Sequence, residues 1–325
     1  MGEVEVGVGI WSMQSTKQGP RHFSYLYNEL MEDAQYCDEL QTIKTIWQTE
    51  HHFWYDGYSP ALLTVAGGIA AATKHIRIGQ STILFSQHEA LRIAQQAAVV
   101  DQISGGRLDL GLGLGYRDNE FDGFNIDRRT RRTRFEEGIE VVRAAWSDGP
   151  VNFSGKQFNV PDVNVTPKPF QAEVPIWVAA VGQQPIMRAA KMGASIILSD
   201  ALTLDQLSEH IELYYKTAAE FGVDVSRAKM GVLRRGWVAE TDDDAYQNAL
   251  KSLRFLLRDQ LGGWRYLKDE EGNSVGFDTP DKLDAAAAKL VTVHERTSWK
   301  ARKSYARPAG DSCYRLQSHH LWHTL

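Results

Sequence analysis

Cysteine is nearly absent: Cys37 and Cys313 are the only two in 325 residues. Two thiols exclude a disulfide framework, and their scarcity fits a reducing compartment. Long apolar runs are missing as well. The longest, Ala61 to Ala72, falls well short of the roughly 20 residues that a membrane-spanning helix needs. The N-terminus, Met-Gly-Glu-Val-Glu, has no basic stretch followed by an apolar core. No secretory signal is therefore expected, and the cytoplasm is the expected location. The net charge is only −5. That gives no reason to expect nucleic acid or an anionic membrane as a partner. Nor does the chain carry a Ser-His-Asp arrangement, a nucleophilic cysteine context or a P-loop. With no nucleophile or metal motif of its own, the chain calls for a cofactor to carry the chemistry.

What is there is a regular alternation of strand-like and helix-like segments. Val4, Val6, Val8 and Ile10 alternate with Glu5, Gly7 and Gly9, a first strand. A helix is expected from about Phe23 to Leu40, a strand from Ile43 to Thr49, and a helix opened by Ser59 as N-cap with Pro60 in its first turn. A third strand is read over Ile76 to Phe85, a helix over Glu89 to Ser104, and a fourth strand over Leu108 to Leu112. The hairpin-like stretch from Gly149 to Val165 interrupts the rhythm. Strands near Ile176, Ser195 and Met230, each followed by a helix, resume it. Gly262-Gly263 and the run from Lys268 to Asn273 read as a mobile insertion. Seven strand–helix repeats predict a parallel sheet with helices outside, and the length favours a barrel over an open sheet. In such a barrel the functional residues lie at the C-terminal ends of the strands.

Several chemically useful residues fall at those ends. His51 and His52 follow the second strand, and histidine is the side chain best suited to proton transfer near neutral pH. Adjacent side chains on extended backbone point apart. The pair is therefore not expected to chelate one ion, and no metal site is expected. Gly111, Gly113 and Gly115 open a loop dense in polar and aromatic groups, beginning with Tyr116. Glycines there let a ligand approach the backbone. They do not make a dinucleotide fingerprint, because Tyr116 stands where a third glycine would be needed. Val181-Gly182-Gln183-Gln184 joins a strand to a helix whose free N–H groups suit an anion such as a cofactor phosphate. Arg132, within a cluster of arginines at a helix start, would add positive charge to it.

Glu50-His51-His52-Phe53, Ser59-Pro60-Ala61, Asp101 to Leu108, Gly111 to Gly115 and Asn119-Glu120-Phe121 together resemble the luciferase-like flavin monooxygenase family. The resemblance covers about residues 4–290. It implies a (β/α)8 TIM barrel with insertions. It also implies reduced FMN at the C-terminal face, supplied by a partner flavin reductase, and O2 used to oxidise a small-molecule substrate. A sister branch uses a reduced deazaflavin, which leaves that cofactor open as the alternative. A flavin-binding barrel without turnover is the other alternative, and the family allows for a homodimer. By resemblance His51 is the active-site histidine with His52 beside it, Ser81-Thr82 is a non-prolyl cis peptide under the flavin ring, and His88 is a second histidine near the pocket. Arg132 matches a phosphate-binding arginine. Val181 and Gly182 fall where an acidic residue and a serine meet the phosphate in luciferases, so here only backbone N–H groups remain for that task. Gly113 stands in place of the luciferases' reactive cysteine, so no thiol chemistry is expected.

The stretch from 292 to 325 departs from this pattern. From His294 onward it carries six Lys or Arg and two acids, whereas the chain as a whole is acidic. It shows no long apolar alternation and no helical period. The expected domains are therefore 1–291, the barrel, and 292–325, an atypical basic tail. The eighth strand–helix unit is expected to be degenerate or missing, with no parallel strand from this tail between the first and seventh strands.

Overall fold

The computed structural model describes residues 5–10, 21–199, 202–237, 239–262, 281–285, 287 and 319–324. The first three strands are β1 (Glu5–Ile10), β2 (Thr45–Gln48) and β3 (Arg77–Gln80), alternating with helices α1 (Phe23–Leu40) and α2 (Leu62–Ala72). Two-residue β4 (Ile83–Leu84) and a 3-10 turn, Phe85–Gln87, lead to α3 (Ala90–Ser104). Next come β5 (Leu108–Gly113), α4 (Asp118–Gly123) and α5 (Arg131–Trp146). The hairpin is β6 (Val151–Ser154) and β7 (Asn159–Val163), an antiparallel pair apart from the main sheet. The alternation returns with β8 (Ile176–Ala180), α6 (Gln183–Lys191), β9 (Ser195–Leu198), α7 (Leu204–Glu220), β10 (Met230–Arg235) and α8 (Asp242–Phe255). The last strand is β11 (His319–Thr324).

Hydrogen bonding orders the main sheet β3-β2-β1-β11-β10-β9-β8-β5-β4, and β3 also pairs with β5. That extra pairing closes the order on itself through β1, β2, β3, β5, β8, β9, β10 and β11, the connectivity of a (β/α)8 barrel. By internal contacts the chain divides into two units: 1–199 with 204–233 and 322–325, and 200–203 with 234–321. In the second, α8 runs into a π-helical turn, Leu256–Gly262, and Arg254 pairs with Asp284.

The inner face of the sheet is filled rather than open. Trp47, Trp177, Ile197 and Leu233 form one buried cluster, with the two indoles edge to face at 5.2 Å. Gly7 and Gly79 sit where a Cβ would strike the Trp47 ring. Below them Asp109 accepts from Arg77 Nε at 2.6 Å and from Trp177 Nε1 at 3.1 Å. The motif Asp101 to Leu108 proves to be a brace. Gly105 ends α3 in the left-handed region at φ 63. Arg107 then donates to the carbonyls of Ala70, Thr73 and Ile76, tying α3 to the end of α2 and to the approach to β3.

Four elements differ from the sequence reading. The second helix begins at Leu62, after Ala61, so neither Ser59 nor Pro60 occupies its first turn. The Ser59 carbonyl instead accepts from the His51 N–H, which ties this segment to the end of β2. The third strand is broken: four steps from Gly79 to Ile83 match three from Asp109 to Leu112 on β5. The extra residue is taken up around the Ser81–Thr82 peptide, which is cis. There the Gln80 carbonyl oxygen presses on Gly111, within van der Waals reach of where a Cβ would stand. Gly111→Ala is expected to cost about 3 kcal/mol, because backbone cannot step aside as a side chain can. Urea unfolding would check this, and a loss under about 1 kcal/mol would contradict it. The polar loop after Tyr116 holds a helix, α4, that the glycine-rich approach concealed.

The fourth difference is in the tail. A strand from this segment does lie between β1 and β10, against expectation. The physical reason is that two open strand edges offer a full row of unpaired N–H and C=O groups. Any extended segment can satisfy those with its backbone, and six residues with little apolar periodicity suffice. No helix is found in 292–325 among the described residues. The rest of that tail and residues 263–273 of the insertion lie outside the described residues. Among the described residues, no helix is long and apolar enough to cross a membrane.

Candidate active site

The segment Glu50-His51-His52 leaves β2 at its C-terminal end, and all three side chains are buried. As the backbone alternation requires, the two histidines turn to different partners. His51 Nδ1 lies 2.9 Å from Glu120 Oε1, on α4. The same carboxylate oxygen accepts from the His52 backbone N–H at 3.0 Å and from Arg117 Nη1 at 3.0 Å. Arg117 also donates to the His52 carbonyl at 3.0 Å, which ties α4 to the strand end.

These contacts set the protonation of the pair. Burial pushes the Glu120 carboxyl up, but the bonds from His51 and the His52 N–H, with the charge of Arg117, outweigh it and hold it low. For His51 burial dominates and pulls its pKa down, against the pull of Glu120. At neutral pH the carboxylate is therefore charged and the imidazole neutral, its one proton on Nδ1 toward Glu120. That leaves the Nε2 lone pair exposed to a donor. The Tyr116 hydroxyl lies 3.1 Å from it, and the rings of Tyr58 and Tyr116 stand edge-on to the imidazole at 4.8 Å and 5.4 Å. This is the arrangement of a positioned proton acceptor: a base, an orienting carboxylate, and a hydroxyl on the reactive nitrogen.

His52 belongs to a second network. Its Nε2 lies 2.6 Å from Glu50 Oε1, and His88 Nε2 lies 2.7 Å from the same atom. The other Glu50 oxygen accepts from the Leu84 N–H at 3.2 Å. Burial raises the Glu50 pKa, but His88 and His52 together bring it to about 2. Glu50 and His88 also face a cavity of about 340 Å³ at the starts of α2 and α3.

The remaining candidates fall at other strand ends. Thr82 is buried, and its Oγ1 lies against the position a Cβ would take on Gly113, so β5 and the cis peptide meet there. Gly182 caps α6 at φ 86, and no side chain bonds to that helix start. Val181, Gln183 and Gln184 are exposed around it. Arg132, exposed, is the second residue of α5. Its neighbour Arg131 has its pKa lowered by burial first and then by the charges of Arg128 and Arg132, so guanidinium groups cluster at the start of α5. The structure thus joins His51 to Tyr116, His52 to His88, and Thr82 to Gly113.

Sequence reasoning passed over the roles of Glu120, Arg117 and Tyr58. Glu120 and Arg117 stand three apart, a spacing that places them on one face of a helix. The helix was hidden, so that signal was not usable. Tyr58, whose hydroxyl meets Thr49 Oγ1 at 2.7 Å, gave none.

The family model for luciferase-like monooxygenase matches residues 9–300. The chain is 28% identical over 266 residues to the oxygenase component of flavin-dependent trigonelline monooxygenase from Acinetobacter baylyi, covering 81% of this chain and 72% of that one. It is 30% identical over 198 residues to the alkanal monooxygenase beta chain of Photorhabdus luminescens, covering 61% of each. The chain thus spans under two thirds of that relative's length. Among solved structures, monooxygenase RslO1 from Streptomyces bottropensis superposes with a TM-score of 0.69 at 26% identity, over 89% of this chain and 88% of that one. With a match that runs from β1 past α8, the chain belongs to the luciferase-like monooxygenase family.

Proposed function

We propose that this chain is the oxygenase component of a two-component monooxygenase, taking reduced FMN from a separate reductase in the cytoplasm and using O2 to oxidise a small organic molecule. The observation that carries the reading is His51: neutral, buried, oriented by Glu120, with Nε2 at hydrogen-bond distance from the Tyr116 hydroxyl. The relatives whose names include a flavin or an alkanal substrate support it.

The residues present fit a flavin. Gly111 and Gly113 let Gln80 and Thr82, on either side of the cis peptide, pack directly against β5 and so fix the peptide under the expected flavin position. The α6 start lacks any side-chain cap, so its N–H groups remain for a phosphate, with Arg132 and Arg131 on the neighbouring helix. When bound, reduced flavin would supply the electrons that activate oxygen. The chain's own part is narrower. His51 holds or accepts a proton at Nε2, Glu120 fixes that tautomer, and Tyr116 relays the proton or donates a hydrogen bond. His88 is better read as a support for His52, through Glu50, than as a direct contact to the cofactor.

Fluorescence titration tests the cofactor. Reduced FMN is expected to bind more tightly than the oxidised form, because the flavin is borrowed and no covalent or dinucleotide attachment motif is present. Equal dissociation constants would count against the two-component reading. Tighter binding of reduced deazaflavin would replace FMN by that cofactor. Binding without substrate oxidation in the presence of a reductase and O2, across a panel of aldehydes, ketones and aromatic amides, would favour a flavin-binding barrel without turnover.

A further inference from the structure

We propose that Glu50, His52 and His88 form a site for one divalent first-row transition metal ion, with zinc the ion that this donor set suits best. The expectation of no metal rested on His51 and His52, which point apart. Glu50 and His52 are two residues apart on extended backbone, so they share a side. His88, at the end of the 3-10 turn after β4, reaches the same point from 38 residues away. Their three donor atoms, two Nε2 and one carboxylate oxygen, lie within 4.8 Å of one another.

Charge argues the same way. A buried carboxylate here meets two imidazoles, and neither a lysine nor an arginine bonds to it among the described residues. One positive charge is needed to balance it, and a proton on an imidazole or a cation between the three donors can supply it. Glu50 presents one oxygen, Oε1, to both imidazoles. Its second oxygen is fixed by the Leu84 N–H, the kind of outer contact that orients metal-binding carboxylates. Two histidines and one carboxylate leave a fourth, open position for water in a tetrahedral zinc site.

Access is built in as well. The cavity of about 340 Å³ reaches Glu50 and His88 from between α2 and α3. Gln87 also lines it, nine-tenths buried, and neither atom of its amide has a hydrogen-bond partner. An amide so placed suits a water bound to the ion. Metal–ligand bonds of roughly 2.0–2.2 Å require the donors to open from hydrogen-bond contact to about 3.3 Å apart, a small side-chain rotation. On binding, each Nε2 turns its lone pair to the ion. A neutral imidazole keeps its one proton, now on Nδ1, and a protonated one releases the other to solvent. The site lies beside His51 without using it, so it goes beyond the flavin reading and does not depend on it.

The test uses the full chain, stripped of metal, with Zn2+ titrated against a chromophoric chelator. One Zn2+ per chain is expected. Affinity is expected to fall about 100-fold or more in His88→Ala and in Glu50→Gln, since losing even an outer partner costs 10–100-fold. Circular dichroism would show which variants fold. His88 is the more exposed of the three, with 26% of its side chain accessible, so its variant decides if Glu50→Gln does not fold. Co2+ in place of zinc should give visible absorption bands that the folded variant lacks. No binding by the wild type would overturn the proposal. So would equal binding by wild type and variants, which would move the ion elsewhere, for instance to the histidines near the C-terminus.

Discussion

His51→Ala is expected to lower turnover by about 10²-fold or more while changing flavin affinity no more than a few-fold. The size follows from what a positioned general acid or base contributes. The selectivity follows from the geometry. His51 Nδ1 is committed to Glu120, and Nε2 meets the Tyr116 hydroxyl, so the ring is set up to handle a proton. Its pH behaviour carries a sign. Burial first, against Glu120, lowers the His51 pKa below its usual 6.5. The neutral, accepting form therefore persists on the acid side of 6.5, and the acid limb of kcat should lie below that value. The same lowering means that His51 supports folding above pH 6.5 and that this support is lost as pH falls through the folded-state value. Steady-state kinetics of His51→Ala at several pH values would decide. Wild-type turnover, or an acid limb above 6.5, would remove His51 from its role.

Glu50→Ala should be the more damaging change for stability, by about 4 kcal/mol. Removing one partner from a buried ionic cluster leaves the others unpaired and costs about 3–5 kcal/mol. Here the unpaired groups would be His52, His88 and the Leu84 N–H. A second route gives a similar size. The Glu50 carboxyl falls from 4.5 to about 2 on folding, worth about 3 kcal/mol at roughly 1.4 kcal/mol per pH unit. Because the folded value is the lower one, this share of stability is fully present above pH 4.5. It is lost as pH falls from 4.5 toward 2. The gap between wild type and Glu50→Gln, measured by urea unfolding in the presence of a chelator, should therefore shrink over that range. A difference under about 1 kcal/mol at pH 7, or one independent of pH, would contradict the account.

The barrel was legible because its signals are local. Val4 to Ile10 alternate, Ile76 to Phe85 are rich in β-branched residues, and each strand is followed by a helical stretch, so period and punctuation announce the order. The Asp101 to Leu108 motif was legible for another reason. Arg107 must satisfy four carbonyls at once and Gly105 must turn left-handed, so few sequences can do the task. Together with Glu50 to Phe53, Ser59 to Ala61, Gly111 to Gly115 and Asn119 to Phe121, that motif carried the resemblance to the family. The short strand from the tail was not legible because pairing at an open edge uses backbone, which every sequence has.

Read along the chain, the residues announce the strand–helix order, the glycines of β5, and the placing of His51 and His52 at a strand end. Folding sets which partners each histidine meets. Glu120 reaches His51 across 69 residues and His88 reaches Glu50 across 38. Burial keeps His51 neutral, while the two imidazoles keep Glu50 charged against the effect of burial. A pattern read along the chain carries no measure of dielectric or of a partner brought close by folding, and those two quantities set the protonation on which the proposed chemistry rests.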